Sequence, residues 1–234
     1  MKIFDISRRL QDAPVYPADE PAEIHRVLDM NAGDLWNVSM ITAGSHLGTH
    51  ADAFSHFFAD GLPIDKMPLE YYCGPCRVMS VEAEELVRVD DIRGRIEGAE
   101  RIVLHTGGQI FLCEQAASYL VECGVKLLVT DAMSVAPDDN ALTVHRILLG
   151  GGVAIVENAD LTDVPDGEYL IFAFPVKIGD CDGAPVRAVL LQADDEAEPV
   201  TEESTEGPES AAPETTATET EQESTEAVKG TETE

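Results

Sequence analysis

The chain has 234 residues, of which 45 are acidic and 15 basic, giving a formal net charge of −30 at pH 7. Charge of this sign repels nucleic-acid phosphates and anionic lipid headgroups, so both kinds of partner are disfavoured. No stretch approaches the ~18 apolar residues of a membrane span, and the N-terminal segment MKIFDISRRL is too polar for a signal peptide, so we expect a cytoplasmic protein.

Apolar patterning stops near Gln192. The segment from Asp194 onward holds 15 of the 45 acidic residues, with Thr, Ser, Ala and Pro between them and no aromatic residue. Such a segment cannot bury enough apolar surface to offset the entropy lost on ordering. We therefore predict one globular domain over residues 1–192 and a disordered acidic tail over residues 193–234.

The predicted elements indicate a mixed α/β domain. Its first third is rich in extended segments, namely KIFDIS, AEIHRVLDM and DLWNVSMITAG, separated by Pro, Asn and Gly. Later runs have the length and β-branched content of buried strands: GPCRVMSVE, RIVLHTG, KLLVTD, GVAIVE and YLIFAF. Helical periodicity appears in IFLCEQAASYLVECG and in the shorter VHRILLGG.

The stretch SHLGTHADAFSHF carries His46, His50, Asp52 and His56 at even spacings. On a straight strand His46 and His56 would lie ~33 Å apart, whereas the ligands of one cation must converge on it. The segment must therefore bend or coil. A helical turn would bring His46 and His50 together, and Gly48 supplies the freedom for that helix to break before Asp52. Polar loop residues or hydrogen-bonded core histidines are the alternative, but the density of ligand-type side chains favours a metal site for Zn²⁺ or Mn²⁺, with Asp52 able to bridge two ions.

The segment HLGTHADAFSH resembles the HxGTHxDxPxH hallmark of the bacterial kynurenine formamidase and cyclase family of metal hydrolases, with Phe54 in place of proline. Further similar segments are DIS, PVYP, YYCGP, VKLLVTDAMSV and VHRILLGGGVAIVENADL. The resemblance implies an α/β domain of the mixed-sheet swivelling β/β/α type. It also implies a homo-oligomer, either a dimer or a tetramer.

Carried over residue by residue, the resemblance implies a site with two Zn²⁺ ions, or Mn²⁺, per subunit. The metal ligands it implies are His46, His50, Asp52, His145 and Glu157, and His56 is implied as the proton-transfer residue. Glu157 also ends the buried-looking run GVAIVE, where an unpaired carboxylate would be costly to desolvate.

Four further residues have less specific signals. Tyr16 stands where family members often carry tryptophan against the substrate ring, so we expect it to bind substrate or to pack in the core. Asp131 and Ser134 follow a predicted strand, where α/β sites form, but Asp131 could also cap the next turn. His105 stands where the family often has arginine, so substrate anchoring at that position is not implied here.

The resemblance implies hydrolysis of a small amide C–N bond by a metal-bound hydroxide. The leading substrate is N-formyl-kynurenine, which gives formate and kynurenine as in tryptophan catabolism. A cyclic amide such as isatin, or another aryl amide or a lactone, is the second enzymatic hypothesis. A non-catalytic metal-binding interaction protein is the hypothesis from a different class.

The segment CGPC at Cys73–Cys76 has the letter pattern of a thioredoxin active site. Thiol redox chemistry needs the second cysteine on a helix whose first turn lowers the thiolate pKa, whereas RVMSVE after Cys76 predicts a strand. The five cysteines are an odd number, which favours reduced thiols over a disulfide framework.

Overall fold

The structure is a computed structural model that describes residues 1–17 and 19–193. Most of the predicted acidic tail therefore lies outside the described residues. In chain order the elements are β1 (Lys2–Asp5), β2 (Glu23–Leu28), β3 (Val38–Thr42), β4 (His50–Asp52), β5 (Cys73–Ser80), β6 (Leu86–Val87), α1 (Val89–Ile92), β7 (Arg101–His105), β8 (Phe111–Leu112), α2 (Glu114–Glu122), β9 (Leu127–Thr130), α3 (Ala141–Gly150), β10 (Ala154–Glu157), β11 (Gly167–Phe172), β12 (Gly183–Pro185) and β13 (Val189–Gln192). Single-turn 3-10 helices occupy Met30–Ala32, Phe54–His56, Ile64–Lys66 and Leu69–Tyr71.

Nine strands form one mixed sheet in the order β1-β13-β11-β5-β7-β9-β10-β4-β12. Strands β5, β7, β9 and β10 are parallel to one another, and the strands on both sides of them pair antiparallel. All four parallel strands come from the apolar runs predicted as buried strands. The sheet confirms the mixed α/β class.

Two apolar layers lie on opposite faces of this sheet because successive side chains of a strand alternate in direction. On β7, Ile102 and Leu104 pack with Leu120 of α2 and Leu148 of α3. Val103 points the other way, into a cluster to which every one of the nine strands contributes. A cluster that reaches both edge strands requires the sheet to curl around it.

Helix α2 is shorter than its periodic pattern predicts. Phe111 and Leu112 pair with β6 as strand β8, so the helix begins at Glu114. Cys113 caps it, its Sγ accepting a hydrogen bond from the Ala116 amide at 3.4 Å. The helix ends before Gly124, which has a φ of 76° and stops the helix in the left-handed conformation.

The CGPC segment lies on β5, paired with β11 on one side, and is followed by more strand rather than by a helix. Burial raises the pKa of the Cys76 thiol to about 12, so the second cysteine of this segment stays a protonated thiol. All five cysteines are free. This geometry argues against the thioredoxin hypothesis.

Strands β2 and β3 form a separate two-stranded hairpin whose residues are exposed on both faces, apart from the half-buried Leu28. Its apolar side chains include Ile24 and Ile41, which are paired across the hairpin and are 45% and 60% exposed. Across the described part of the chain, no helix has both the length and the apolar character needed to cross a membrane.

Candidate metal centre

The histidine-rich segment runs into the large sheet at β4, between β10 and β12. His50 lies directly opposite Glu157 of β10 in the antiparallel register, which places an imidazole and a carboxylate side by side. Gly48, with a φ of 71°, turns the chain just before the strand. The segment thus bends at Gly48 and continues as a strand, without the helical turn that was considered from the spacing.

A 3-10 turn after β4 brings His56 back to the start of the segment. Its ring lies 4.0 Å from the ring of His46, centroid to centroid, although ten residues separate the two. The turn begins at Phe54, which packs edge-on against Tyr71 at 5.9 Å. Phe54 therefore packs against an aromatic side chain, and the turn that begins with it still brings His56 beside His46.

Helix α3 presents His145 to the same place. The Nδ1 atom of His145 lies 2.7 Å from the carbonyl oxygen of Ala141, one turn earlier, and Nε2 lies 3.3 Å from Oε1 of Glu157. Phe57 stacks on the ring of His145 with centroids 4.6 Å apart and an interplanar angle of 23°. The hydrogen bond and the stacked ring together fix the direction in which Nε2 points.

Asp52 lies at the middle of these imidazoles and is only 1% exposed. Its Oδ1 atom is 3.0 Å from Nδ1 of His46 and 3.4 Å from Nε2 of His50, and its Oδ2 atom is 3.7 Å from Nε2 of His145. Oε2 of Glu157 is 3.5 Å from Nε2 of His50. The two oxygens of Asp52 therefore face different histidines, as a carboxylate shared by two cations would.

The donor atoms of this cluster fit a divalent cation. Nε2 of His50 and Oδ2 of Asp52 are buried and have no hydrogen-bond partner among the described residues, which is costly unless something else binds them. Nδ1 of His50 is 2.9 Å from the Gly48 carbonyl, so the lone pair of its Nε2 is free for a ligand role. Two groups have donor atoms within 4.8 Å of one another: His46, Asp52 and His56; and His50, Asp52 and Glu157.

Electrostatic coupling in the cluster is strong. Burial alone would lower the pKa of His50 and His145, but the carboxylates of Asp52 and Glu157 outweigh burial and raise these pKa values to about 10 and about 9. Burial raises the pKa of Asp52, yet His46 and His50 hold it well below its ordinary value. Ionised carboxylates thus attract positive charge to this point, as protons on the imidazoles or as a cation.

His56 has a different environment. Burial is the largest cause that lowers its pKa below 6.5, which favours the neutral ring. Its Nδ1 atom lies 3.5 Å from Oδ2 of Asp182. The same oxygen lies 3.0 Å from Nε2 of His46. Asp182 precedes β12 and was not among the predicted site residues.

A cavity of about 290 Å³ opens over the cluster. Its walls combine the site imidazoles and Glu157 with apolar and polar side chains, which are those of Pro14, Tyr16, Asp19, Phe57, Met133, Ser134, Ala141 and Asn158. Tyr16 therefore lines the cavity, and its hydroxyl donates a hydrogen bond to Oδ1 of Asp138 at 2.6 Å. That bond and burial raise the pKa of Tyr16 to about 12.

The other residues considered from the sequence are placed as follows. Oδ1 of Asp131 accepts hydrogen bonds from the amide and hydroxyl of Thr106 at 2.9 and 2.8 Å, a structural role. Ser134 lines the cavity wall, but His105 does not and lies 3.7 Å from Asp131.

Solved structures similar to this chain cover most of it. One, described as "Potential Metal-Dependent Hydrolase With Cyclase Activity", shares 27% identity at a TM-score of 0.71 and covers 81% of this chain and 96% of its own. A predicted metal-dependent hydrolase from Bacillus stearothermophilus has the same identity and TM-score and covers 81% and 97%. An isatin hydrolase bound to the product analogue thioisatinate shares the fold, with a TM-score of 0.73 at 17% identity and coverage of 82% and 93%.

The sequence model of the Cyclase family, described as "Putative cyclase", matches residues 4–137. That match spans more than half of the chain and includes the histidine-rich segment. His145 and Glu157 lie beyond the matched segment, so their place in the site rests on the geometry above. The chain belongs to the Cyclase family.

Proposed function

We propose that the protein is a metal-dependent hydrolase that cleaves the C–N bond of a small aryl amide. The observation that carries the proposal is the convergence of three imidazoles and two buried carboxylates under one cavity, with a fourth imidazole beside them. The 27% identical structures described as metal-dependent hydrolases support the same reaction class.

Five side chains would hold one or two Zn²⁺ or Mn²⁺ ions: His46, His50, Asp52, His145 and Glu157. A cation bound there would acidify a water molecule and polarise the amide carbonyl. Glu157 is held for this task because its Oε1 atom accepts a hydrogen bond from the Val135 amide at 2.7 Å. Phe57 restricts the ring of His145 and helps to exclude bulk water from that side of the cluster.

His56 would move the proton that the reaction requires. Its ring lines the cavity, and its Nδ1 atom faces Asp182, so Nε2 is the atom available to the substrate. The neutral ring favoured by burial can accept a proton as the nucleophile forms and deliver it to the departing nitrogen. Without that proton the nitrogen would leave as an unstable amide anion.

The motif resemblance favours N-formyl-kynurenine as the substrate, with formate and kynurenine as products. The cavity volume of about 290 Å³ is at the small end of ligand sites, which suits a single aryl ring and a formyl group. Phe57 and Tyr16 offer aromatic surface for that ring, and Asp19 offers a carboxylate for an amino group.

A cyclic amide such as isatin is the second candidate. Among the described residues that line the cavity, no side chain is lysine or arginine. An amino-acid substrate would place its carboxylate against this wall without a cationic partner, whereas a neutral ring needs none. This observation favours the uncharged substrate.

The test uses the full chain after metal removal and reloading with Zn²⁺ or Mn²⁺, with both substrates followed by absorbance. We expect turnover of at least one substrate, its loss on chelation and its return on adding the metal. The ratio of kcat/KM for the two substrates decides between them. Tight metal binding without turnover of either substrate would overturn the proposal of a hydrolase and favour a non-catalytic metal-binding protein.

We also propose a homo-oligomer, with the β2–β3 hairpin as its contact surface. Eight large apolar side chains of the hairpin are 40–82% exposed, namely Ile24, Val27, Met30, Leu35, Trp36, Val38, Met40 and Ile41. At roughly 100 Å² each they offer about 800 Å², the area that one partner contributes to a standard interface. Strand β3 has no charged residue, so two copies can pair along it without opposing like charges.

Replacing Met40 and Ile41 by lysine should split the oligomer, because both are 60% exposed on β3 and would bring like charges together at the contact. Light scattering on a sizing column should show the mass falling to the 25.2 kDa of one chain. Leu69→Lys is the matched control, since Leu69 is 58% exposed outside the hairpin. A wild-type chain that already runs as a monomer at micromolar concentration would refute this contact.

A further inference from the structure

We propose that Asp182 is a positioning residue that orients the metal ligand His46 and the proton-transfer residue His56 through a single carboxylate oxygen. The proposal rests on the proposed function and adds to it a residue that neither the motif nor the matched family segment contains. Asp182 lies 126 residues after His56 in the chain and reaches the site because β12 pairs with β4.

The two ring nitrogens of His46 face opposite carboxylates. Nδ1 lies 3.0 Å from Oδ1 of Asp52, the oxygen that also faces Nε2 of His50. Nε2 lies 3.0 Å from Oδ2 of Asp182 on the other side of the ring. Since lone pairs of two imidazoles converge at Asp52, that side is the cation side, and Asp182 accepts the N–H of Nε2 from outside.

The second ring nitrogen of each proposed ligand histidine is then paired with a protein oxygen. For His50 the partner is the Gly48 carbonyl at 2.9 Å, and for His145 it is the Ala141 carbonyl at 2.7 Å. For His46 it is the Asp182 carboxylate. A carboxylate is the strongest such partner, because it fixes the tautomer and makes the other nitrogen a better metal donor.

Asp182 is itself held in place. Its Oδ1 atom accepts a hydrogen bond from the Ser45 hydroxyl at 3.0 Å, and its carbonyl accepts one from the Ala53 amide at 2.9 Å. The next residue is Gly183, where a Cβ would come within 2.7 Å of Cε1 of His46. The ring of His46 thus packs closely on the backbone beside Asp182, which leaves it little freedom to turn.

The same Oδ2 atom faces His56. Nδ1 of His56 is 3.5 Å away, and the rings of His46 and His56 lie against each other at an interplanar angle of 32°. With the N–H of His56 on Nδ1, toward this oxygen, Nε2 is the unprotonated atom toward the cavity. One oxygen therefore orients both imidazoles, and its loss should affect metal binding and turnover together.

The experiment compares Asp182→Ala and Asp182→Asn with Asp180→Asn in the full chain. Asp180 is a matched control, because its side chain is 91% exposed and lies two residues away without touching a histidine. The first readout is the Zn²⁺ dissociation constant, measured by competition with a chromophoric chelator. The second is kcat and KM at saturating metal.

For Asp182→Ala we expect metal binding weaker by about 10–100-fold, and a further fall in kcat at saturating metal with little change in KM. Asp182→Asn keeps an oxygen acceptor and should recover part of both losses. Ser45→Ala, which releases Asp182 without removing it, should shift both readouts in the same direction by less. Circular dichroism and thermal unfolding establish that the variants are folded.

Wild-type metal affinity and kcat in a folded Asp182→Ala variant would overturn the proposal. An equal loss in Asp180→Asn would also overturn it, because the effect would then be one of charge alone. The metal readout needs no substrate, so the inference about His46 can hold even if wild-type protein hydrolyses neither amide, an outcome that would refute only the proposed function.

Discussion

Replacing Asp52 by asparagine is expected to remove most metal binding and to lower turnover by about a thousandfold or more. The carboxylate faces His46 and His50 through one oxygen and His145 through the other, so an amide would direct N–H donors at the cation position. Structural zinc sites with four ligands bind with about 10–16 kcal/mol, so one ligand is worth roughly 3 kcal/mol, or ~100-fold in affinity. Losing the cation forfeits several kcal/mol of transition-state stabilisation.

The measurement is metal content after dialysis, together with kcat/KM on whichever amide the wild type cleaves. Asp131→Asn is the matched control, since Asp131 is also a buried aspartate near a strand end but bonds to Thr106 instead of to the cluster. It should keep its metal. A folded Asp52→Asn variant that retains stoichiometric metal would show that the cation lies elsewhere.

The strands of the central sheet could be predicted because short apolar runs bounded by glycine and polar residues can form few structures other than a buried strand. The ligand-type residues His46, His50 and Asp52 could be recognised because they lie within one short segment. That this segment is not a straight strand followed from the length that such a strand would have. The residues that immediately surround His145 and Glu157 in the sequence do not mark either side chain specifically as a metal ligand. Their convergence with the segment depends on α3 and β10 packing beside β4, which local pattern does not encode.

Asp182 illustrates what the sequence could not show. It follows Cys181 in a polar loop and has no periodicity or motif that separates it from Asp180 two residues earlier. The two aspartates differ only in where the fold places them: one faces His46 and the other faces solvent near Lys66. The long-range pairing of the edge strand β12 with β4 decides this, and such pairings depend on the whole sheet rather than on neighbouring residues.

The β2–β3 hairpin is a second case in which the local pattern does not reveal what surrounds an element. Its strands were predicted correctly as extended segments, but a two-stranded sheet exposed on both faces is marginally stable alone. Alternation of apolar residues indicates a strand, but it does not reveal whether the surface that covers the strand belongs to the same chain. The exposed Trp36 and Met40 show that the core formed by the described residues does not cover the hairpin.

Replacing His56 by alanine is expected to leave metal binding near the wild-type level and to lower kcat by about 10²–10⁴-fold, the usual contribution of a positioned acid or base. His56 lines the cavity beside His46, yet its Nδ1 atom faces Asp182 rather than Asp52 or Glu157. The measurement pairs metal content with single-turnover rates, so that slow product release cannot mask the chemical step. His105→Ala is the matched control, because His105 is half-buried but lies outside the cavity wall.

The two readouts separate two roles that the geometry allows for the same ring. Donor atoms of His46, Asp52 and His56 lie within 4.8 Å of one another, so His56 has the reach of a ligand as well as of a proton carrier. A folded His56→Ala variant that loses a metal ion would reassign His56 to the metal centre. Retained metal with unchanged turnover would remove it from the reaction altogether. Only retained metal with a large loss of kcat fits a ring that Asp182 aligns for proton transfer.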